Sequence, residues 1–231
     1  MEENSLSIAF SDSLKEDTVT CISELAEVGL DAIIDDGILK DIPLLSTAIS
    51  MYKIGNRIND RHNIKKLAVF LNEINNRIAN EEKRAKYRQK IQENAKFRNQ
   101  ELEYILVVIE RYISYDKPKM LAKLYLAYLD GTIIWEELTM YSEIIDRLLL
   151  SDYRMFISSE GSIAVHRSIG GESLLRLEAL GLMAETTEVS PFSQHRDGNF
   201  SLTVEGLKKA LSTDRVYRRT EFGNILAEIL K

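Results

Sequence analysis

Between Gln100 and Tyr115 the chain reads QELEYILVVIERYISY, and Leu102, Tyr104, Ile105, Leu106, Val107, Val108 and Ile109 make a helix apolar nearly all round. Such a helix is stable only when other helices cover it, so the stretch predicts the centre of a helical bundle. The rest of the chain is suited to cover it. Only 3 prolines and 11 glycines occur in 231 residues, which leaves little irregular backbone and favours long helices. With 45% hydrophobic and 29% charged residues, the chain has the composition of an ordinary globular protein with a real core.

Start and stop signals divide the first two thirds into successive helices. Asp12 or Ser13, with Glu16 completing a capping box, opens a first helix reaching about Ile34. Asp41-Ile42-Pro43 opens a second, which carries Leu44, Leu45, Ala48, Ile49, Tyr52, Ile54 and Ile58. A third, from about Asp60 to Ile78, presents Ile64, Leu67, Ala68, Phe70, Leu71 and Ile74. Asn80 followed by Glu81 and Glu82 opens a fourth, whose thin stripe of Tyr87, Ile91 and Ala95 leaves it mostly solvated. After the central helix, Asp116-Lys117-Pro118 starts another that stops at Asp130-Gly131, and Trp135 enters one more, ending near Leu150.

From Ser151 the pattern changes. Gly161, Gly170, Gly171 and Gly181 cluster, and short β-favouring segments appear at Ser162–Val165, Met183–Val189 and Asn199–Thr203. Thr203 caps a helix through Leu211, and Arg215 to Leu230 reads as one amphipathic helix with Phe222, Ile225, Leu226 and Ile229 on one face. The expected fold is therefore mainly α: a helical bundle over residues 12–150, a small α+β module over 151–213, and a C-terminal helix over 214–231.

The module carries a resemblance. Leu180-Gly181-Leu182 at the end of a helix, and Leu202-Thr203-Val204-Glu205-Gly206 where a strand enters the next one, resemble the ending of winged-helix proteins. With a helical bundle in front, the layout is similar to the abortive-infection alpha family of bacterial phage-defence proteins. The stretch Asp35 to Ile74 also resembles bacterial and prophage proteins of unassigned role. The resemblance implies a winged-helix-like layout and a defence setting, and it supplies no catalytic residues. If the module reads DNA, the helix Ser173–Leu180 would enter the major groove, with Arg167, Arg176, His195 and Arg196 as the contacts. Glu172, Glu178, Glu185, Glu188 and Asp197 leave the segment neutral, where a DNA reader normally carries a basic footprint. Protein contact is the favoured role.

Charge is distributed in blocks. Residues 1–60 hold 12 acids and 4 bases, whereas residues 61–120 hold 8 acids and 14 bases. The simplest reading is packing of the acidic part on the basic part, within one chain or between two copies. The basic helix with Lys83, Arg84, Lys86, Arg88 and Lys90 could hold phosphate, but its nearby glutamates favour a solvated or internally paired helix. Arg57 and His62 have the arginine-x4-histidine spacing of the helical HEPN ribonucleases, which they resemble in that motif alone. There the arginine would steady phosphate charge and the histidine would act in acid–base chemistry.

Other chemistries find little footing. His62, His166 and His195 are far apart and the lone Cys21 has no cysteine or histidine pair, so no metal or cofactor is expected. Cys21 reads as a core residue of a reducing compartment. No glycine-rich phosphate loop and no G-x-S-x-G elbow occur, so an ordinary enzyme is disfavoured. An acidic first ten residues and the absence of 18 successive apolar residues point to a cytoplasmic protein without a transmembrane segment. Leu30 to Ile58 is amphipathic but too acidic to seek an anionic membrane surface. The favoured function is a non-enzymatic interaction protein with a protein partner or a second copy; a winged-helix DNA-binding regulator and a HEPN-like ribonuclease are the alternatives.

Overall fold

The computed structural model describes residues 6–15, 18, 41–51, 58–93, 95–166, 171–186, 192–194, 200–202 and 214–231. The chain is mainly helical, a helical bundle followed by a small α+β module, and it divides into two compact units, Met1–Asp146 and Arg147–Lys231.

The first unit contains α1 (Leu6–Asp12), α2 (Pro43–Met51), α3 (Ile58–Arg77), α4 (Glu81–Gln92), α5 (Ala95–Arg111), α6 (Asp116–Asp130) and nearly all of α7 (Trp135–Arg147). Its centre is aromatic. Phe10 of α1, Phe70 of α3 and Tyr125 of α6 meet with ring centroids 5.7 to 6.4 Å apart, and none of the three exposes 1% of its surface. Rings at those separations add edge-to-face attraction to their area burial.

Helix α1 lies earlier than the capping signals suggested. Asp12 is its last residue, not a cap, so the bundle begins at Leu6 and not at residue 12. The sequence pattern missed it because α1 inverts the usual burial: Ser7 and Ser11 are as buried as Phe10, while Ile8 is 52% exposed. Both residues are small enough for neighbouring helices to approach, and both hydrogen-bond to them. Gln92 donates to Ser11 Oγ at 2.9 Å, and the Ser7 amide donates to Asn99 Oδ1 at 2.8 Å. Just beyond, Ser13 Oγ donates to the Ala9 carbonyl and accepts from the Leu44 amide, both at 2.9 Å, which ties α1 to the start of α2. The rest of the first expected helix, from Val19 to Ile34, lies outside the described residues.

Other boundaries follow their chemistry. Asn80 caps α4 through its side chain to the Lys83 amide at 2.9 Å. Gly131 ends α6 in the left-handed conformation, φ 79°, that glycine adopts without strain. Asp116 is the first residue of α6 rather than its cap. Helix α5 is not enclosed on all sides as expected. Leu102, Ile105, Val108 and Ile109 are buried, but Val107 is 50% exposed, so one face of this helix meets solvent.

The second unit holds α8 (Leu150–Ser158), β1 (Ser162–His166), α9 (Glu172–Ala179), β2 (Met183–Thr186), β3 (Phe192–Gln194), β4 (Phe200–Leu202), β5 (Asp214–Arg219) and α10 (Glu221–Leu230). Strands β1, β5 and β2 form an antiparallel sheet in that order, while β3 and β4 pair as a separate hairpin. The expected C-terminal helix over 214–231 is corrected here, because its first six residues are the central strand of the sheet. Val216 and Tyr217 suit a strand, Tyr217 is buried, and Arg218 on the alternate side is exposed. Thr220 then caps α10, accepting from the Gly223 amide at 2.9 Å. The helix expected over Thr203–Leu211 lies outside the described residues, as do residues 187–189 of the expected second strand.

Candidate functional site

Helices α2, α3 and α5 enclose a cavity of about 170 Å³. Leu45 and Ala48, one turn apart on α2, form one wall. Ile64 and Leu67 of α3 and Leu106 and Ile109 of α5 form the others. All six are buried hydrophobic side chains, and Ala48, the smallest, leaves room that a larger residue would fill. Asp60 and Asn63, on the same face of α3, and Glu110 of α5 supply the polar rim. Glu110 is exposed and Asp60 and Asn63 are half-buried, which places the mouth at these three residues.

Beside the cavity, α3 clamps the corner between α5 and α6. The last carbonyls of a helix have no partner within it, and here side chains one turn apart on α3 supply them. Lys66 Nζ donates to the carbonyls of Glu110 and Tyr112, both at 2.7 Å. Lys66 is 1% exposed, and burial pushes its ammonium down from the ordinary 10.5 to about 8, with the Glu110 carboxylate acting in the opposite sense. His62 Nε2 lies 3.1 Å from the Ile113 carbonyl, and Nδ1 lies 2.8 Å from the Tyr115 hydroxyl. A carbonyl only accepts, so Nε2 carries the proton; in the neutral ring Nδ1 then accepts from Tyr115. Both nitrogens of His62 are engaged in holding the corner, and Arg57 lies outside the described residues.

The basic helix α4 spends much of its charge on packing. Lys83 pairs with Asp130 at 3.1 Å, and Tyr87 donates to the other oxygen of that carboxylate at 2.7 Å. Arg84 is buried, donating to Asn75 Oδ1 at 2.8 Å and to the Leu14 carbonyl at 3.3 Å, with Glu81 at 3.2 Å. Lys90 donates to the Leu129 carbonyl at 2.5 Å. Lys86 is exposed, and Arg88 Nε is buried without a hydrogen-bond partner among the described residues.

In the second unit, Arg176 is the one proposed DNA contact within the described residues; Arg167, His195 and Arg196 lie outside them. Its guanidinium binds Asp152 of α8 through two hydrogen bonds, Nε to Oδ2 at 2.6 Å and Nη2 to Oδ1 at 2.9 Å. Asp152 is 1% exposed, and Arg176 holds its carboxyl below the usual carboxylate range. The fork that would grip a phosphate already grips a carboxylate.

Two polar groupings carried no recognisable sequence signal. Glu101, 1% exposed, accepts from the Tyr128 hydroxyl and from Arg98 Nη1, and Arg98 also donates to the Lys90 carbonyl at 3.2 Å. Arg219 donates to the carbonyls of Phe156 and Ile157 at the end of α8 and lies over the Phe156 ring at 4.9 Å. An i,i+3 arginine–glutamate pair reads as a surface pair, and only the tertiary fold reveals that Glu101 is buried. Among the described residues no three His, Cys, Asp or Glu side chains converge as a metal site would require, and no helix is long and apolar enough to cross a membrane. Among the described residues, the cavity is bordered by apolar walls and by the Asp60 and Glu110 carboxylates. Comparison with protein families, with characterised proteins and with solved structures finds no match.

Proposed function

We propose that the protein is a non-enzymatic interaction protein, of bacterial or prophage type, that acts in phage defence by contact with a protein partner or a second copy. The observation that carries this reading is apolar exposure on α5, on α7 and at Ile134, the residue just before α7. Val107 is 50% exposed, Ile134 60% and Met140 44%, all large side chains. Val107 lies between Tyr104 and Arg111, which tie α5 to α7 through Ser142 at 2.8 Å and Asp146 at 2.6 Å, and Met140 follows Thr139 on the same helix. An exposed apolar patch built by neighbouring elements is a common mark of a contact surface.

Two further observations support contact over nucleic-acid chemistry. His62 is engaged at both nitrogens, and Arg176 is engaged by Asp152. The defence setting rests on the resemblance in layout. The second unit, read as winged-helix-like from its strand–helix–strand order and its last strand at the sheet centre, serves in this reading as a docking module.

Plaque counts on bacteria expressing the protein test the proposal. Expression lowers plaque formation for members of a phage panel, and the pair Ile134→Asp and Met140→Asp abolishes the effect while circular dichroism stays unchanged. A salt-dependent shift of duplex DNA would overturn it in favour of a regulator. Metal-independent RNA cleavage lost on His62→Ala would overturn it in favour of a HEPN-like ribonuclease.

A further inference from the structure

We propose that the partly exposed rings of Tyr104 and Trp135 receive an arginine or lysine from a basic segment of a partner protein. The inference rests on the contact surface proposed above and names the chemistry of its partner. The two rings stand side by side on α5 and α7 with centroids 5.5 Å apart, and both residues are half-buried. Large apolar side chains are exposed beside them in the chain: Val107, one turn beyond Tyr104, at 50%, and Ile134, next to Trp135, at 60%. Tyrosine and tryptophan set among such groups are the anchors that interfaces favour, because a ring covers much area and has few bonds to immobilise.

A neighbouring grouping shows which charge such rings take. Trp135 also meets Tyr128, with centroids 5.5 Å apart, and Arg98 lies over the Tyr128 ring at 5.3 Å while its guanidinium pairs with Glu101. There an aromatic face, a cation and a carboxylate complete one another. Tyr104 and Trp135 have the face and the carboxylates without the cation. Glu103 precedes Tyr104 and Glu136 follows Trp135; both are exposed, and neither forms an ion pair among the described residues. No cation lies over either ring among the described residues. The bases of α5 are committed or distant: Arg98 pairs with Glu101, Arg111 pairs with Asp146 at 2.6 Å, and Lys96 stands two turns before Glu103, about 10 Å along the axis. A basic segment gains both glutamates and both rings, whereas an acidic segment or a phosphate would be repelled. A second copy is poorly equipped to supply it, because its basic helix α4 engages Lys83, Arg84 and Lys90 within the chain.

Trp135 is the only tryptophan of the chain, so its fluorescence reports on the site directly. The test titrates the full-length protein with a short, end-blocked peptide of repeated arginine-leucine pairs, and with a match in which citrulline, the same shape without the charge, replaces arginine. The arginine peptide is expected to change Trp135 emission saturably, with a dissociation constant on the order of 100 μM. The citrulline peptide binds about tenfold more weakly. The pair Glu103→Gln and Glu136→Gln, both at exposed positions, lowers affinity for the arginine peptide about fivefold and leaves the citrulline peptide unchanged. Glu82→Gln with Glu160→Gln, also exposed, makes the same change in net charge away from the rings and has no effect. Absence of a saturable change, equal affinity for the two peptides, indifference to the Glu103 and Glu136 pair, or an equal loss in the control pair would each overturn the proposal. A concentration-dependent dimer that shifts Trp135 emission without peptide would overturn it in favour of a second copy. If the peptide fails while Ile134→Asp with Met140→Asp still abolishes protection from phage, the basic partner falls and the contact surface stands.

Discussion

Replacing Gly223 by alanine probes the tightest packing in the second unit. A Cβ built there falls 2.1 Å from the Leu182 carbonyl oxygen and 3.0 Å from its carbon. Those are backbone atoms, so no side chain can swing aside. Helix α10 must retreat by roughly 1 Å, a small-to-large overpacking that costs about 1–3 kcal/mol. The retreat pulls on Thr220, whose hydroxyl donates to the Gly181 carbonyl at 2.7 Å and whose amide donates to Leu182 at 3.2 Å. Against this, alanine favours a helix over glycine by about 1 kcal/mol. With the overpacking at its upper end, because the obstacle is rigid, the net cost is about 2 kcal/mol. For a unit spanning residues 147–231 that lowers the melting temperature by about 8–16 °C. Calorimetry reads the shift, and hydrogen exchange of the peptide from Arg215 to Lys231 locates it. Gly171→Ala is the control: φ is −79° and nothing lies within 4 Å of its added Cβ, so it leaves the melt unchanged. A Gly223→Ala protein that melts at the wild-type temperature or above would refute the close approach of α10 to Leu182.

Two pH predictions follow from buried charges. Lys66 has its pKa lowered from 10.5 to about 8, so between those values the unfolded chain binds a proton that the folded one does not. Stability contributed at this site therefore rises with pH from about 8 to 10.5. Wild type minus Lys66→Met, followed by urea denaturation, rises across that window; a flat difference contradicts the burial argument, and taking the difference removes the tyrosines, whose raised pKa values act oppositely. Asp152 has its carboxyl pKa lowered by Arg176, so its contribution is present above the ordinary carboxylate range and is lost as pH falls through the folded value. Asp152→Asn flattens the acid limb of the second unit's stability, and an acid limb identical to that of wild type refutes the pairing.

The bundle was legible because its signals are local. Asn80, Pro43, Trp135 and Asp130-Gly131 punctuate helices by capping and turn chemistry that acts within a few residues. Helix α1 was not legible, since it buries Ser7 and Ser11 and exposes Ile8, the reverse of the pattern on which periodicity depends. Strand β5 was misread because DRVYRR continues into a genuine amphipathic helix, and its strand state is set by long-range pairing with β1 and β2. Thr220 and Gly223 held the missing signal, a cap with its amide partner three residues on. The candidate site was legible only in fragments. Asp60, Ile64 and Leu67 could be placed on one face of α3, but the space they border depends on how α2 and α5 approach, which no spacing encodes. The engagement of His62 and Arg176 is likewise tertiary, through Tyr115 and Asp152 at separations of 53 and 24 residues.

The most direct test of action by contact is plaque formation on cells expressing the wild-type protein beside cells expressing the Ile134→Asp, Met140→Asp protein at matched abundance. Both side chains are exposed, at 60% and 44%, so the substitutions alter the surface and leave the core in place. The account predicts fewer plaques with wild type and full plaque numbers with the doubly substituted protein. Equal protection by the two proteins would contradict it.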